Sequence, residues 1–206
     1  MGWITATALF LQISVQMGTP ILFGTLGGIL GEKTGNLNLG VEGMMIMGAA
    51  VGFKVALVTA NPWLAVLAAG IAGALGALIY CIVTVTFKGN QTVTGLALTI
   101  FGTGFAGMLG KSMSGVSLPQ PVLDTFAAYD VPGLSKIPIL GEAFFQQSIY
   151  VQIAPILAVL IYFFIKKTRI GLNMRAVGEN PAAADASGIN VNRYKCLSLL
   201  AGGFLC

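Results

Sequence analysis

The side chains that most often carry chemistry in proteins are scarce in this sequence. It contains no histidine, 7 acidic residues and 3 cysteines among 206 residues. No nucleophile, base and orienting residue come together, so an enzyme active site has little support. The cysteines, Cys81, Cys196 and Cys206, form no C-x-x-C pair and lie in or beside apolar segments. We therefore expect them to be packing residues, and neither a disulfide framework nor a zinc site is indicated.

One stretch approaches a nucleotide-binding pattern. Residues 103–112 read TGFAGMLGKS, but the phosphate-binding loop G-x-x-x-x-G-K-[ST] requires glycine where this chain has Phe105. The stretch also ends an apolar run and follows no soluble strand. We therefore expect this chain to bind no ATP and no other cofactor itself.

A polar stretch between residues 171 and 190 reads GLNMRAVGENPAAADASGIN. Asn180 is a good helix N-cap, Pro181 suits the first helical position, and Gly188 can close the helix in a left-handed conformation. The predicted helix over 181–187 is roughly 10 Å long at 1.5 Å per residue, which is too short to be stable alone in water. Another surface must pack against it.

Two explanations of this helix remain open. Either it lies against its own bundle, or it docks on a partner protein. Docking would use small residues that allow close approach and charges that fix the register, but composition alone does not choose between the two. The small residues are Ala182, Ala183, Ala184 and Ala186, and the charges are Arg175, Glu179 and Asp185.

The elements that must position this stretch are membrane helices. The chain is 56% hydrophobic and 9% charged, with a mean hydropathy of +0.86, whereas soluble domains carry about 25% charged residues. Uncharged runs cover 1–31, 55–87, 89–110 and 143–165, each long enough for the ~20 residues that a span requires. The predicted fold class is therefore all-α, a polytopic integral membrane bundle.

Five full spans and the start of a sixth are predicted. They lie near 6–30, 41–60, 63–87, 91–110 and 147–165, and the sixth begins near 195. This last helix reaches Cys206 before attaining the ~20 residues of a span. We therefore expect one transmembrane domain over 1–206 that is truncated at its C-terminal end.

Residues 31–43 interrupt the apolar pattern with GEKTGNLNLGVEG. Non-helical backbone is tolerated at membrane depth only where protein buries it or water lines it, so we predict a broken helix bordering a cavity. Glu42 is either hydrated at the membrane interface or paired with backbone donors beside that cavity. An ionised group near the bilayer centre costs at least ~2.5 to 3.5 kcal/mol, which is why its position is informative.

The distribution of lysine and arginine predicts the orientation. The loops at 31–39, 88–90 and 166–195 hold eight of them, against Lys111 and Lys136 on the other side and Lys54 inside a span. Cytoplasmic loops carry the excess, so the first group is predicted to be cytoplasmic. The basic residues are dispersed without an aromatic platform, so nucleic acid is not an expected partner.

Three stretches resemble one known family. Residues 166–195, KKTRIGLNMRAVGENPAAADASGINVNRYK, look like the cytoplasmic coupling loop of bacterial ABC importer permeases, in the branch that handles simple sugars, nucleosides and branched-chain amino acids. Residues 31–49, GEKTGNLNLGVEGMMIMGA, and 89–100, GNQTVTGLALTI, are similar to segments of the nucleoside-type permeases.

The resemblance implies a transport subunit that is not an enzyme. It would form the translocation path for a nucleoside or simple sugar in the bacterial inner membrane. The implied partners are an ABC ATPase subunit holding ATP and Mg, a second permease subunit, homologous or identical, and an extracytoplasmic solute-binding protein. The coupling-loop candidates are Arg175, Glu179, Asn180, Pro181, Ala182, Ala183, Ala184, Asp185, Ala186 and Gly188. The path candidates are Asn36, Asn38, Glu42, Gln91 and Thr94.

Two alternatives stay open beside this reading. One alternative is an autonomous secondary transporter or channel that uses the broken helix for an ion. The other is an inactive truncated fragment, because the permeases that the chain resembles continue with further helices. The segment 111–146, with Asp124, Asp130 and Glu142, is either a connecting loop or part of the surface on which the external binding protein lands.

Overall fold

The fold is a bundle of helices, as the composition predicts. The structure, a computed structural model, describes residues 2–130, 144 and 146–206. Five of the described helices are long and apolar enough to cross a membrane. In chain order the elements are α1 (Trp3–Glu32), α2 (Val41–Thr59), α3 (Pro62–Cys81) with a π-helical turn (Ile82–Thr86), α4 (Gln91–Gly110), α5 (Gln120–Thr125), β1 (Tyr129–Asp130), β2 (Gln146–Gln147), α6 (Ile149–Lys167), α7 (Arg169–Glu179), α8 (Pro181–Ala186) and α9 (Val191–Leu205).

The five predicted spans are confirmed, and the broken region corresponds to the non-helical residues 33–40 between α1 and α2. Three features were not predicted: α5, the antiparallel pair β1 and β2, and α7. The helix near 63–87 also ends in a π-helical turn, in which the Thr84 hydroxyl donates to the Tyr80 carbonyl at 2.8 Å.

Close backbone contacts between glycines hold the bundle together. α2 packs between α3 and α4, while α9 packs against α1 and α3. A Cβ added at any of the crossing glycines would meet the backbone of the facing helix, so only glycine permits these distances. The facing pairs are Gly43 with Gly102, Gly73 with Gly203, and Gly27 with Gly202.

The core contains one feature that corrects the sequence-based expectation for the cysteines. Cys81 at the end of α3 and Cys196 on α9 form a disulfide, with their Cα atoms 5.6 Å apart. The expectation that they only pack is therefore wrong. Their separation of 115 residues hides the pair in the sequence, and the packing of α9 on α3 brings them together. Cys206 is free and half-buried.

The outer surface of the bundle is apolar. On α1, Phe10, Met17 and Ile21 are each more than 65% exposed, and Ile100 and Met108 on α4 are equally open. A contiguous apolar surface of this extent is unfavourable in water, whereas lipid tails solvate it. The outer surface of the bundle therefore suits the interior of a lipid bilayer.

The loops gather at two ends of the bundle. At one end, Gln91 bonds to the segment 33–40, which also lies against Gly178 at the end of α7. At the other, the Lys54 ammonium donates to the Ser112 hydroxyl at 3.2 Å. The loops at 31–39, 88–90 and 166–195, which their positive charge predicts to lie on one side, thus share one end. Lys136 and Glu142 lie outside the described residues.

Candidate functional site

The short helix α8 is fixed at both ends by its own sequence. The Asn180 side-chain oxygen accepts a hydrogen bond from the Ala183 N–H at 3.0 Å. At the other end Gly188 adopts a left-handed φ of 83°, while its N–H donates to the Asp185 carbonyl at 2.9 Å and the Ile189 N–H donates to the Ala184 carbonyl at 3.0 Å. These bonds form a Schellman motif. α8 therefore has the caps that the sequence predicts.

Most of α8 faces solvent, and one residue does not. Ala184 is 4% exposed, because it lies on the side where α8 packs against α7 and α9. Pro181, Ala182, Ala183, Asp185 and Ala186 are exposed. The helix thus lies on its own bundle through Ala184 and leaves a face of small residues and one carboxylate open.

A groove of about 600 Å³ lies beside this open face. Its lining combines residues of α8, the following turn and the start of α9. The Asn190 side chain in this lining accepts from the Arg193 N–H at 3.0 Å and caps α9. The residues that line the groove are Pro181, Ala182, Asp185, Gly188, Ile189, Asn190, Val191 and Asn192.

The amphipathic helix α7 holds α8 in place. Gly171, Met174 and Val177 form its buried face. On α7 the Asn173 amide donates to the Tyr194 hydroxyl of α9 at 2.8 Å. Of the charged coupling-loop candidates, Glu179 is exposed. Arg175 is half-buried, and its Nε atom is enclosed without a hydrogen-bond partner among the described residues.

The candidate path residues lie at the same end of the bundle, in and around the segment 33–40. Asn36 is only 1% exposed, and its amide donates to the buried Thr34 hydroxyl at 2.9 Å. Asn38 is half-buried and accepts from the Gly40 N–H at 2.9 Å. Both side chains therefore shape the loop itself.

The start of α4 holds this segment from one side. The Gln91 side-chain oxygen accepts from the Leu37 N–H at 2.8 Å. Thr94 donates to the Asn90 carbonyl of its own helix at 2.8 Å, as threonines in membrane helices commonly do. Gln91 is thus a bridging residue, and Thr94 satisfies its hydroxyl locally.

Two exposed carboxylates flank this segment, Glu32 at the end of α1 and Glu42 at the start of α2, and Glu42 is the path candidate. It lies in the first turn of α2, where the positive end of the helix dipole stabilises a negative charge. Within the described residues its carboxylate forms no hydrogen bond or ion pair. This placement suits a hydrated group, and a role for Glu42 in the path stays a prediction.

The two candidate regions meet at Gly178. A Cβ on Gly178 would collide with the Lys33 carbonyl and lie 3.3 Å from the Gly35 nitrogen. Sequence reasoning missed Gly178, and also Tyr80, whose hydroxyl donates to the Leu37 carbonyl at 2.7 Å. Neither position carries a local signal, because each matters only through a contact between distant parts of the chain.

In the part of the chain that the structure describes, no group of three or more histidine, cysteine, aspartate or glutamate side chains could hold a metal ion. The region instead offers an exposed capped helix, a groove and a hydrogen-bonded loop.

A helical bundle with five helices long and apolar enough to cross a membrane is that of a multi-pass membrane protein. The family described as branched-chain amino acid transport system / permease component matches residues 10–206. The chain belongs to this family. No solved structure gives a significant match.

Several proteins are similar over nearly the whole chain. The guanosine ABC transporter permease protein NupQ of Bacillus subtilis is 34% identical over 98% of this chain and 66% of its own length. The nucleoside ABC transporter permease protein NupC of Lactococcus lactis is 36% identical over 91% of this chain and 61% of its own. The glucose ABC transporter permease protein TsgB13 of Haloferax volcanii is 30% identical over 90% and 52%. The chain thus spans between half and two thirds of the length of these relatives.

Proposed function

We propose that this chain is the permease subunit of an ABC importer and forms the translocation path for a nucleoside or simple sugar. Family membership supports the transport role, and the names of the relatives, which include guanosine, nucleoside and glucose transporters, support the substrate class. The observation that carries the proposal is the capped helix α8, whose small face and adjoining groove are open at the basic end of the bundle.

An ABC ATPase subunit is the proposed partner of α8. Because the caps at Asn180 and Gly188 hold the helix in shape beforehand, docking costs little ordering entropy. Ala182 and Ala183 let a partner backbone approach, and Asp185 supplies a charge for the register. ATP and Mg would be held by that partner subunit.

The basic end of the bundle is the proposed cytoplasmic end, in the inner membrane of a bacterial cell. Eight lysines and arginines lie in the loops and helix ends of this end, compared with Lys54 and Lys111 toward the other end among the described residues. The positive-inside rule favours this orientation. The opposite end, with α5 and the exposed Asp124, would face the solute-binding protein, and an apolar face of the bundle would meet a second permease subunit.

The proposed mechanism is mechanical. Closure of the ATPase subunits would displace α8, and the spans attached to it would tilt between outward-facing and inward-facing arrangements. Such coupling requires contacts that differ between the two states. The path itself would run past the polar segment 33–40 and Glu42.

Two substitutions on the open face of α8 test the docking. We expect Asp185→Lys and Ala183→Trp to lower the recovery of the ATPase subunit in mild-detergent pull-downs by at least about tenfold, which corresponds to about 1.4 kcal/mol of binding. Ala184→Trp is not suitable, because Ala184 is buried within this chain. Membrane insertion of both variants should be unchanged.

Asp124→Lys is the matched control, since it makes the same charge change on an exposed residue at the opposite end. It should leave ATPase recovery unaffected. Equal recovery with Asp185→Lys, Ala183→Trp and the unmodified protein would contradict the docking role. Uptake driven by an ion gradient without ATP would instead support the secondary-transporter alternative.

A further inference from the structure

We propose that Gly178 is a positioning residue that transmits movement of α8 to the segment 33–40 and, through it, to the ends of α3 and α4. The inference rests on the proposed function and deepens it, because it names the contact through which the docking helix acts on the spans.

The contact itself is between two backbones. A Cβ on Gly178 would collide with the Lys33 carbonyl, and a Cβ on Gly35 would lie 3.5 Å from the Gly178 Cα and carbonyl oxygen. Gly35 also has a left-handed φ of 78°, which side-chain-bearing residues rarely adopt. No side chain lies between the two backbone segments. A rotamer change therefore cannot absorb a displacement of one segment against the other.

Toward the docking surface, α7 and α8 are joined by a single residue. The Asn180 N–H donates to the Ala176 carbonyl and so ends α7, at 3.0 Å. The Asn180 side chain accepts from the Ala183 N–H and so begins α8, also at 3.0 Å. Because one residue closes one helix and caps the next, a displacement of α8 moves the end of α7 that carries Gly178.

Toward the membrane, the segment 33–40 is bonded to two spans. The Leu37 N–H donates to Gln91 at the start of α4 at 2.8 Å, and the Leu37 carbonyl accepts from the Tyr80 hydroxyl near the end of α3 at 2.7 Å. The Leu39 carbonyl accepts from the Thr99 hydroxyl at 3.1 Å, about two helical turns further along α4 than Gln91. The segment therefore cannot move without pulling on α3 and α4.

The segment is also stiff within itself. Thr34 and Asn36 are almost fully buried and bonded to each other, and the Thr34 hydroxyl donates to the Gly31 carbonyl at 2.8 Å. Buried polar networks whose members are satisfied are rigid. A displacement at Lys33 and Gly35 is consequently transmitted to Leu37. We call the hydrogen-bonded residues of this loop, together with their bonds to α3 and α4, the relay.

The experiment uses the complete transporter reconstituted in vesicles, with three readouts: recovery of the ATPase subunit, ATP hydrolysis, and uptake per ATP hydrolysed. Gly178→Ala places a methyl group against the Lys33 carbonyl. Tyr80→Phe removes one hydroxyl from the relay and leaves the ring in place. We expect uptake per ATP to fall about two- to thirtyfold in both, the range of measured coupling changes, while ATPase recovery is retained.

Gly107→Ala is the matched control, because a Cβ at Gly107 meets no atom within 4 Å. It should change none of the three readouts. If Gly178→Ala does not reach the membrane, Tyr80→Phe decides the question. Unchanged uptake per ATP in Tyr80→Phe overturns the relay, whatever happens to Gly178→Ala, and leaves the proposed function intact. Failure of the unmodified protein to bind an ATPase subunit overturns the proposed function itself.

Discussion

At the scale of single residues, the shape of α8 depends on one left-handed glycine. Gly188 has a φ of 83° and no atom within 4 Å of a Cβ position, so a substitution there is a purely conformational change. A left-handed conformation costs most residues roughly 1 to 2 kcal/mol, and asparagine tolerates it better. We expect Gly188→Ala to accelerate hydrogen exchange of the backbone amides at positions 188 and 189 by roughly 5- to 30-fold. Mass spectrometry in detergent measures this exchange.

Gly188→Asn serves as the control for that measurement. It adds a larger side chain than alanine does, yet asparagine is the other residue commonly found at this position of a Schellman motif. Its amide exchange should therefore stay closer to that of the unmodified protein. Faster exchange in Gly188→Asn than in Gly188→Ala would show that bulk, and not the backbone conformation, controls the end of α8.

The sequence correctly predicts how α8 begins and ends, because helix capping is local. Asn180, Pro181 and Gly188 act within a few positions of themselves, so their types and spacing suffice. Ala184 and Asn36 differ, because their burial depends on what distant parts of the chain place beside them. Gly178 and Tyr80 gain their roles only from contacts with the segment 33–40, and no pattern around either one indicates this.

At the scale of elements, α2 and α4 depend on glycine for their close approach. A Cβ on Gly102 would lie 2.5 Å from the Gly43 carbonyl oxygen, whereas a Cβ on Gly104, half a turn away, meets nothing within 4 Å. Overpacking a tight contact costs typically about 1 to 3 kcal/mol. We expect Gly102→Ala to lower the midpoint of thermal unfolding in detergent by several degrees, followed by fluorescence-detected size exclusion.

Gly104→Ala makes the same chemical change in the same helix and isolates the contribution of the contact. Its unfolding midpoint should match or slightly exceed that of the unmodified protein, since alanine has the higher helix propensity. Equal midpoints for the two variants would mean that α2 and α4 separate readily at this crossing.

The spans were predictable because each one is an apolar run of the length that a bilayer requires. Among the shorter elements, α8 was predicted from its caps, whereas α5, α7 and the pair of strands were not. α7 has a buried face of only Gly171, Met174 and Val177, which is too few positions for a helical period to stand out. The disulfide between Cys81 and Cys196 escaped for a related reason, because the pairing of α3 with α9 is a property of the tertiary fold.

At the scale of the whole molecule, the positively charged residues and the contacts between loops lie at the same end of the bundle. The loops rich in lysine and arginine are also those joined by Gly178, Gln91 and Tyr80. The end that would face the ATPase is therefore an end where the segment 33–40 links α3, α4 and α7. The opposite end carries fewer positive charges and holds α5 and the pair of short strands.

The orientation of the bundle in the membrane can be measured directly. Asp185 and Asp124 are exposed carboxylates at opposite ends, so Asp185→Cys and Asp124→Cys, each combined with Cys206→Ser, form a matched pair. Because the positive end of a membrane protein faces the cytoplasm, a membrane-impermeant maleimide added to intact cells should label Asp124→Cys, and should label Asp185→Cys only after permeabilisation. The reverse pattern would place α8 outside the cell, beyond the reach of any cytoplasmic ATPase, and would rule out its docking role together with the orientation.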